Sequence, residues 1–190
     1  MHNIWRRYNH ILISNQPPDK VIDTRDVFYE IITTNSILAR WVSSFDCKKE
    51  MPFWYVIKDN NPLIESYSRN TRNQIKKGLK SFIIKKVIKG DIKKEAYSIY
   101  RCTFESYDNN ETILSSKDFY AKFIDKFDYW GVYKSNQLVG YAQNRVFHDS
   151  CNYSTIKINP QYKKEYPFYA LIYKMNEYYL EESSLSYVTD

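Results

Sequence analysis

Apolar positions recur every four residues across 65–80. Tyr67, Thr71, Ile75 and Leu79 form one stripe, which predicts an amphipathic helix. Arg69, Arg72, Lys76 and Lys80 fall on the opposite face, within ~80° of one another at 100° per residue. Shorter runs of aromatic and β-branched residues read as strands at 36–42, 53–57, 82–88 and 185–188. Residues 129–134 and 137–147 flank Ser135-Asn136, a two-residue hairpin loop, and His148-Asp149-Ser150 turns the chain into a third strand over 151–158. Asn159-Pro160 ends that strand. Capping residues predict three more helices: Thr24 opens one to about Ile32, Asp91 one to about Ser106, and Ser115 or Ser116 one to about Phe127. Pro167 suits the first turn of a helix over 168–182, which is apolar on nearly every side and therefore expected to be buried.

From residue 53 onward the order is β-α-β-α-α-β-β-β-α-β, closing in a right-handed strand-helix-strand crossover. This predicts an α+β fold, a mixed central sheet flanked by helices. Gln16-Pro17-Pro18-Asp19 sets off the start of the chain, so residues 1–24 are expected as an N-terminal extension and 25–190 as a single domain.

Composition narrows the function. The chain has 190 residues, 43% hydrophobic and 17% aromatic, enough for a globular core. Only four glycines occur, which excludes a Walker loop or a G-x-G-x-x-G phosphate turn. The longest apolar runs are far short of the ~18 residues of a membrane span. No apolar stretch follows the basic start Met1-His2-Asn3-Ile4-Trp5-Arg6-Arg7, so a cytoplasmic location without a secretory leader is expected. Cys47, Cys102 and Cys151 are odd in number and form no C-x-x-C pair, which predicts reduced thiols and no metal site.

Charge is concentrated. Residues 69–94 carry ten basic side chains against Asp91, a net +9 in a chain of net +6, so the remainder is net −3. Such a cluster suits a phosphate-bearing partner; the plainer alternative is a solvated helix face.

The element order, with its meander, Asn159-Pro160 break, helix and last strand, resembles the GCN5-related N-acetyltransferase (GNAT) fold. Ser68-Arg69-Asn70-Thr71-Arg72-Asn73-Gln74-Ile75-Lys76-Lys77-Gly78-Leu79-Lys80 is similar to the S-x-x-x-R-x-x-I-R/K-K-x-x-K helix of its FemAB-like members. Residues 36–46 and 53–59 also look like an uncharacterised bacterial branch of GNAT-like proteins. The resemblance implies transfer of an acyl or aminoacyl group from acetyl-CoA, another acyl-CoA or aminoacyl-tRNA to an amine, for example of a cell-envelope precursor. It implies that Ile156, Lys157 and Ile158 form the donor edge. The family's glycine-rich loop corresponds to Lys163-Lys164-Glu165-Tyr166-Pro167-Phe168, so Lys163 and Lys164 would meet the donor phosphates with side-chain charge. Arg69, Arg72, Lys76 and Lys80 would grip tRNA or a phosphate-bearing substrate. The family continues beyond a strand like that of Tyr187 to Asp190, which implies a C-terminally truncated domain. The competing expectation is a non-catalytic GNAT-like module that binds a polyanion or protein through the basic patch of 69–94.

No sharp catalytic set is visible. Asp190, at the end of the last strand, is a candidate base or substrate ligand. Tyr153 and Tyr187 are candidate acids among nineteen tyrosines. His148 beside Asp149 reads as a surface pair, and Cys151 has no histidine in any spacing that would activate it.

Overall fold

A computed structural model describes residues 4–45, 47–49, 56–107 and 112–190. It divides into two compact units, Met1–Trp54 and Tyr55–Asp190, so the division lies beyond the expected extension of 1–24.

The first unit begins with a feature that hydrophobic patterning did not reveal. Strands β1 (Trp5–Tyr8) and β2 (Ile11–Ser14) form an antiparallel hairpin. Asn9 and His10 join them at φ 45 and 65, the left-handed pair that matches strand twist in a two-residue turn. Helix α1 (Val27–Thr33) follows, and β3 (Leu38–Arg40) adds to β2 in parallel. Trp5, Leu12 and Val27 make the core. Thr24 is not the helix cap: Asp26 occupies that position, without a side-chain capping bond.

The second unit holds a six-stranded sheet in the order β4-β9-β8-β7-β6-β5. Its strands are β4 (Ile57–Lys58), β5 (Ile83–Val87), β6 (Phe127–Lys134), β7 (Gln137–Val146), β8 (Ser150–Ile158) and β9 (Tyr187–Thr189). All neighbours are antiparallel except β8 and β9, which are joined by a helical crossover. Residues 53–55 of the strand expected at 53–57 lie outside the described residues. Ser135 and Asn136 take φ 48 and 67, as the tight β6–β7 turn requires.

The helices are α2 (Arg69–Ser81), α3 (Lys89–Glu105), α4 (Ser116–Ala121) and α5 (Pro167–Asn176). Alternation along β6 separates two cores. Trp130 and Val132 join Leu171, Met175 and Tyr179 on one face, while Tyr129 packs with Ile92, Ala96, Tyr100 and Phe119 on the other. Three helix boundaries differ from expectation. Helix α3 starts at Lys89, with Asp91 inside its first turn, and α4 stops at Ala121. The run 168–182 is α-helical only to Asn176 and then widens into a π-turn, Glu177–Glu182. Its start is also less buried than expected, since Phe168 is 50% and Tyr169 38% exposed.

Candidate functional site

Strand β8 is paired unequally. Its β7 edge is paired from Cys151 to Ile158, whereas β9 pairs only with Ser150, Cys151 and Asn152. Among the described residues, the outer backbone edge of 153–158 has no strand partner. Ile156 and Ile158 pack towards the α5 core. Lys157 points to the other face, where its Nζ lies 4.5 Å from the Phe104 ring centroid and 5.1 Å from that of Tyr107. Its side chain is therefore not brought to the lysines of the following loop.

That loop is a 3-10 turn, Pro160–Glu165, capped by Asn159, whose Oδ1 accepts from Gln161 N at 3.0 Å. Lys163 and Lys164 are exposed on it. Glu165 is neutralised by Lys134 Nζ at 2.6 Å. Tyr166 then takes φ 63 and ψ 40, the left-handed conformation that glycine adopts most cheaply and that costs other residues about 1–2 kcal/mol. Pro167 opens α5, and Ala170 N closes the first turn onto Tyr166 O at 3.4 Å. The N–H groups of Phe168 and Tyr169 have no intrahelical acceptor. Lys77 Nζ donates to Lys164 O at 3.3 Å and lies 5.2 Å from the Tyr166 ring. Gly78 permits this arrangement, because a Cβ there would stand 2.5 Å from Tyr166 O.

The basic run is only partly available. Ser68 caps α2 by accepting from Thr71 N at 3.3 Å, which fixes the start of the stripe. Arg72 donates to Glu65 O at 3.1 Å, and Lys76 lies 3.8 Å from the Glu65 carboxylate. Lys86 and Lys89 pair with Asp128 and Asp125 at 2.7 and 2.6 Å, and Lys85 and Lys93 lie over tyrosine rings. Arg69 and Lys80 remain exposed, with no acidic partner among the described residues. The stripe is thus a mixture of tethered and free cations.

Two of the three catalytic candidates come to neighbouring positions. Asn152 pairs with Thr189, so Tyr153 and Asp190 occupy the next register step, where the β8–β9 ladder stops. Asp190 is exposed. Tyr153 donates to Asn176 Oδ1 at 2.8 Å, and burial raises its hydroxyl well above the ordinary tyrosine range. Tyr187 is buried opposite Ser150. Burial also raises the Cys151 thiol, so this residue is a core side chain rather than a ready nucleophile.

Sequence reasoning missed a polar network beside these residues. The Tyr179 hydroxyl accepts from Trp130 Nε1 at 3.0 Å and Asn144 Nδ2 at 3.3 Å, and donates to Asp128 Oδ2 at 3.1 Å. Lys86 joins Asp128 to the Tyr178 hydroxyl, 3.1 Å away. Burial acts to lower the Lys86 ammonium, but its bonds to Asp128 and Tyr178 outweigh that and raise it. No sequence signal separates Tyr179 from the other tyrosines of an apolar helix. Among the described residues no group of three or more His, Cys, Asp or Glu side chains converges, and no helix is long and apolar enough to cross a membrane.

No family model matches the chain, and no curated protein does. Solved structures do. The C-terminal domain of a candidate lysylphosphatidylglycerol synthetase from Agrobacterium fabrum superposes with a TM-score of 0.61 at 10% identity, covering 98% of this chain and 65% of that one. L-PGS from Bacillus licheniformis gives 0.59 at 7% identity, over 98% and 63%. FemX gives 0.57 at 10% identity, over 72% and 52%. The chain therefore spans about half to two thirds of the length of these proteins. Their shared architecture, read with the mixed sheet, crossover helix and one-sided β8 edge, identifies the fold as GNAT/FemAB-like; at 7–10% identity the likeness extends to the fold alone.

Proposed function

We propose that the chain transfers an acyl or aminoacyl group to an amine, with a phosphate-bearing donor held between the outer edge of β8 and the start of α5. The observation that carries this reading is the strand edge of 153–158, unpaired on one side among the described residues, leading into a loop with two exposed lysines and a helix start whose first N–H groups have no intrahelical acceptor. Either acyl-CoA or aminoacyl-tRNA satisfies this chemistry, and a cell-envelope precursor is the acceptor class we favour.

The residues present fit the phosphates of such a donor. Lys163, Lys164 and the N–H groups of Phe168 and Tyr169 would hold them, since helix starts and ammonium groups both favour anions. The donor supplies an activated carbonyl. Outward N–H groups of β8 would stabilise negative charge developing on its oxygen. Asp190 would accept the amine proton. As the amide bond to the acceptor forms and the donor's thioester or ester bond breaks, Tyr153, kept protonated by its burial, would turn its hydroxyl from Asn176 Oδ1 and give its proton to the leaving sulfur or ribose oxygen.

Thermal unfolding with and without millimolar acetyl-CoA tests the reading. Saturation at about 100 times Kd adds ~2.7 kcal/mol, a rise of several degrees. The rise should vanish in Lys163→Glu with Lys164→Glu. No rise in the parent chain, with either acetyl-CoA or an aminoacyl-tRNA, would reject a donor site here.

A second reading is a non-catalytic module that binds a polyanion through α2. Exposed Arg69 and Lys80 favour it. It requires salt-sensitive association that is lost in Arg69→Glu with Lys76→Glu.

A further inference from the structure

We propose that the free edge of β5 docks an extended, acidic segment of another polypeptide. This inference is independent of the transfer reaction. Strand β5 terminates the six-stranded sheet, and among the described residues its five residues pair with β6 alone, from Ile83 opposite Tyr133 to Val87 opposite Tyr129. In an antiparallel ladder alternate residues turn their N–H and C=O groups outward. Among the described residues no backbone group accepts or supplies those bonds. Such an edge is a template for one more strand.

The side chains around it select the partner. Ile83 is 62% and Ile88 72% exposed at the two ends of the extended stretch, with Lys85 between them. Among the described residues Lys80 and Lys85 have no carboxylate partner, while Lys89 pairs with the exposed Asp125 and can exchange it at little cost. A strand alternating acidic and apolar residues, with an acid opposite Lys85, would gain main-chain bonds, an opposite-charge cross-strand pair on that face and apolar contact with Ile88 on the other. A second copy of β5 is the wrong partner, because antiparallel self-pairing sets the lysines of one copy against those of the other. A nucleic acid supplies charge but no strand to complete the ladder.

The probe is a blocked hexapeptide of alternating glutamate and valine, titrated into the ¹⁵N-labelled full chain. Amide shifts should cluster at residues 83–88. The same peptide N-methylated on its bonding edge keeps its charge but loses its donors, and it should not bind. Lys85→Glu should weaken binding on the order of tenfold, as attraction becomes repulsion; circular dichroism confirms that this exposed variant is folded, and Lys85→Gln replaces it if not. Equal binding of the N-methylated peptide, shifts centred elsewhere, no binding at millimolar peptide, or an equally tight response to a short RNA would each overturn the proposal.

Discussion

Replacing Gly78 with alanine tests how α2 is held against the start of α5. In an exposed helix the change stabilises by about 1 kcal/mol, because alanine lowers the entropy of the unfolded chain and suits the helix. At this position the new Cβ would stand 2.5 Å from Tyr166 O and 2.8 Å from the Ala170 Cβ. The first contact is with backbone, and that carbonyl also accepts from Ala170 N, so it cannot swing aside as a side-chain tip would. Overpacking of this kind costs roughly 1–3 kcal/mol, which outweighs the helix gain. Gly78→Ala should therefore lower the urea midpoint and reduce Tm by a few degrees. The Tyr166 amide should shift, since its αL conformation is braced by the same contact. Adding Ala170→Gly should recover little, because the backbone clash remains and glycine weakens α5. A higher midpoint for Gly78→Ala would refute the packing argument outright.

Tyr179→Phe leaves Trp130 Nε1 without its acceptor in a buried site and removes one partner of Asn144. The expected cost is about 1–3 kcal/mol, read by urea unfolding followed through tryptophan fluorescence; an unchanged midpoint would show that the hydroxyl is not a hub. Stability should also fall in alkali. Burial raises the hydroxyls of Tyr141, Tyr153 and Tyr179 and the thiol of Cys151, so the native chain keeps protons that the unfolded chain releases from about pH 9 upward. The raised Lys86 ammonium acts in the same direction, its contribution fading as pH climbs through its folded value. The urea midpoint should hold between about pH 7 and 8.5 and decline above 9; a midpoint steady to pH 11 would contradict this burial.

What could be read from the chain follows from which signals are local. The α2 stripe, the Ser135-Asn136 turn, the Ser115 cap and the Pro167 start each depend on neighbours within a few residues, and the structure has all four. The β1–β2 hairpin was hidden because its turn is Asn9-His10 rather than a glycine pair, and because β1 alternates weakly, with only Trp5 buried. Tyr179 was hidden for a different reason. Its partners Asp128, Trp130 and Asn144 lie on two strands far away in sequence, and only the sheet register brings them under one hydroxyl. The basic stripe was legible as a pattern, whereas its division into tethered and free cations depends on Glu65, Asp125 and Asp128, which no periodicity links to it.

The loop before α5 shows why a missing glycine need not mean a missing conformation. In the GNAT pattern that the sequence resembles, a glycine there lets the backbone turn and come close to phosphate. Here Tyr166 makes the left-handed turn, and its cost of about 1–2 kcal/mol is offset by contacts a glycine could not make. Its ring meets Lys77 Nζ at 5.2 Å and the Tyr169 ring at 6.0 Å. The steric need for glycine has moved to Gly78 on the facing helix, where close approach of two backbones leaves no room for a Cβ. In the donor site proposed above, anion recognition would shift accordingly. With Pro167 offering no N–H, two amides and the Lys163 and Lys164 ammonium groups would do what a run of glycine amides does elsewhere, so donor affinity should depend on salt and on lysine charge more than on loop backbone.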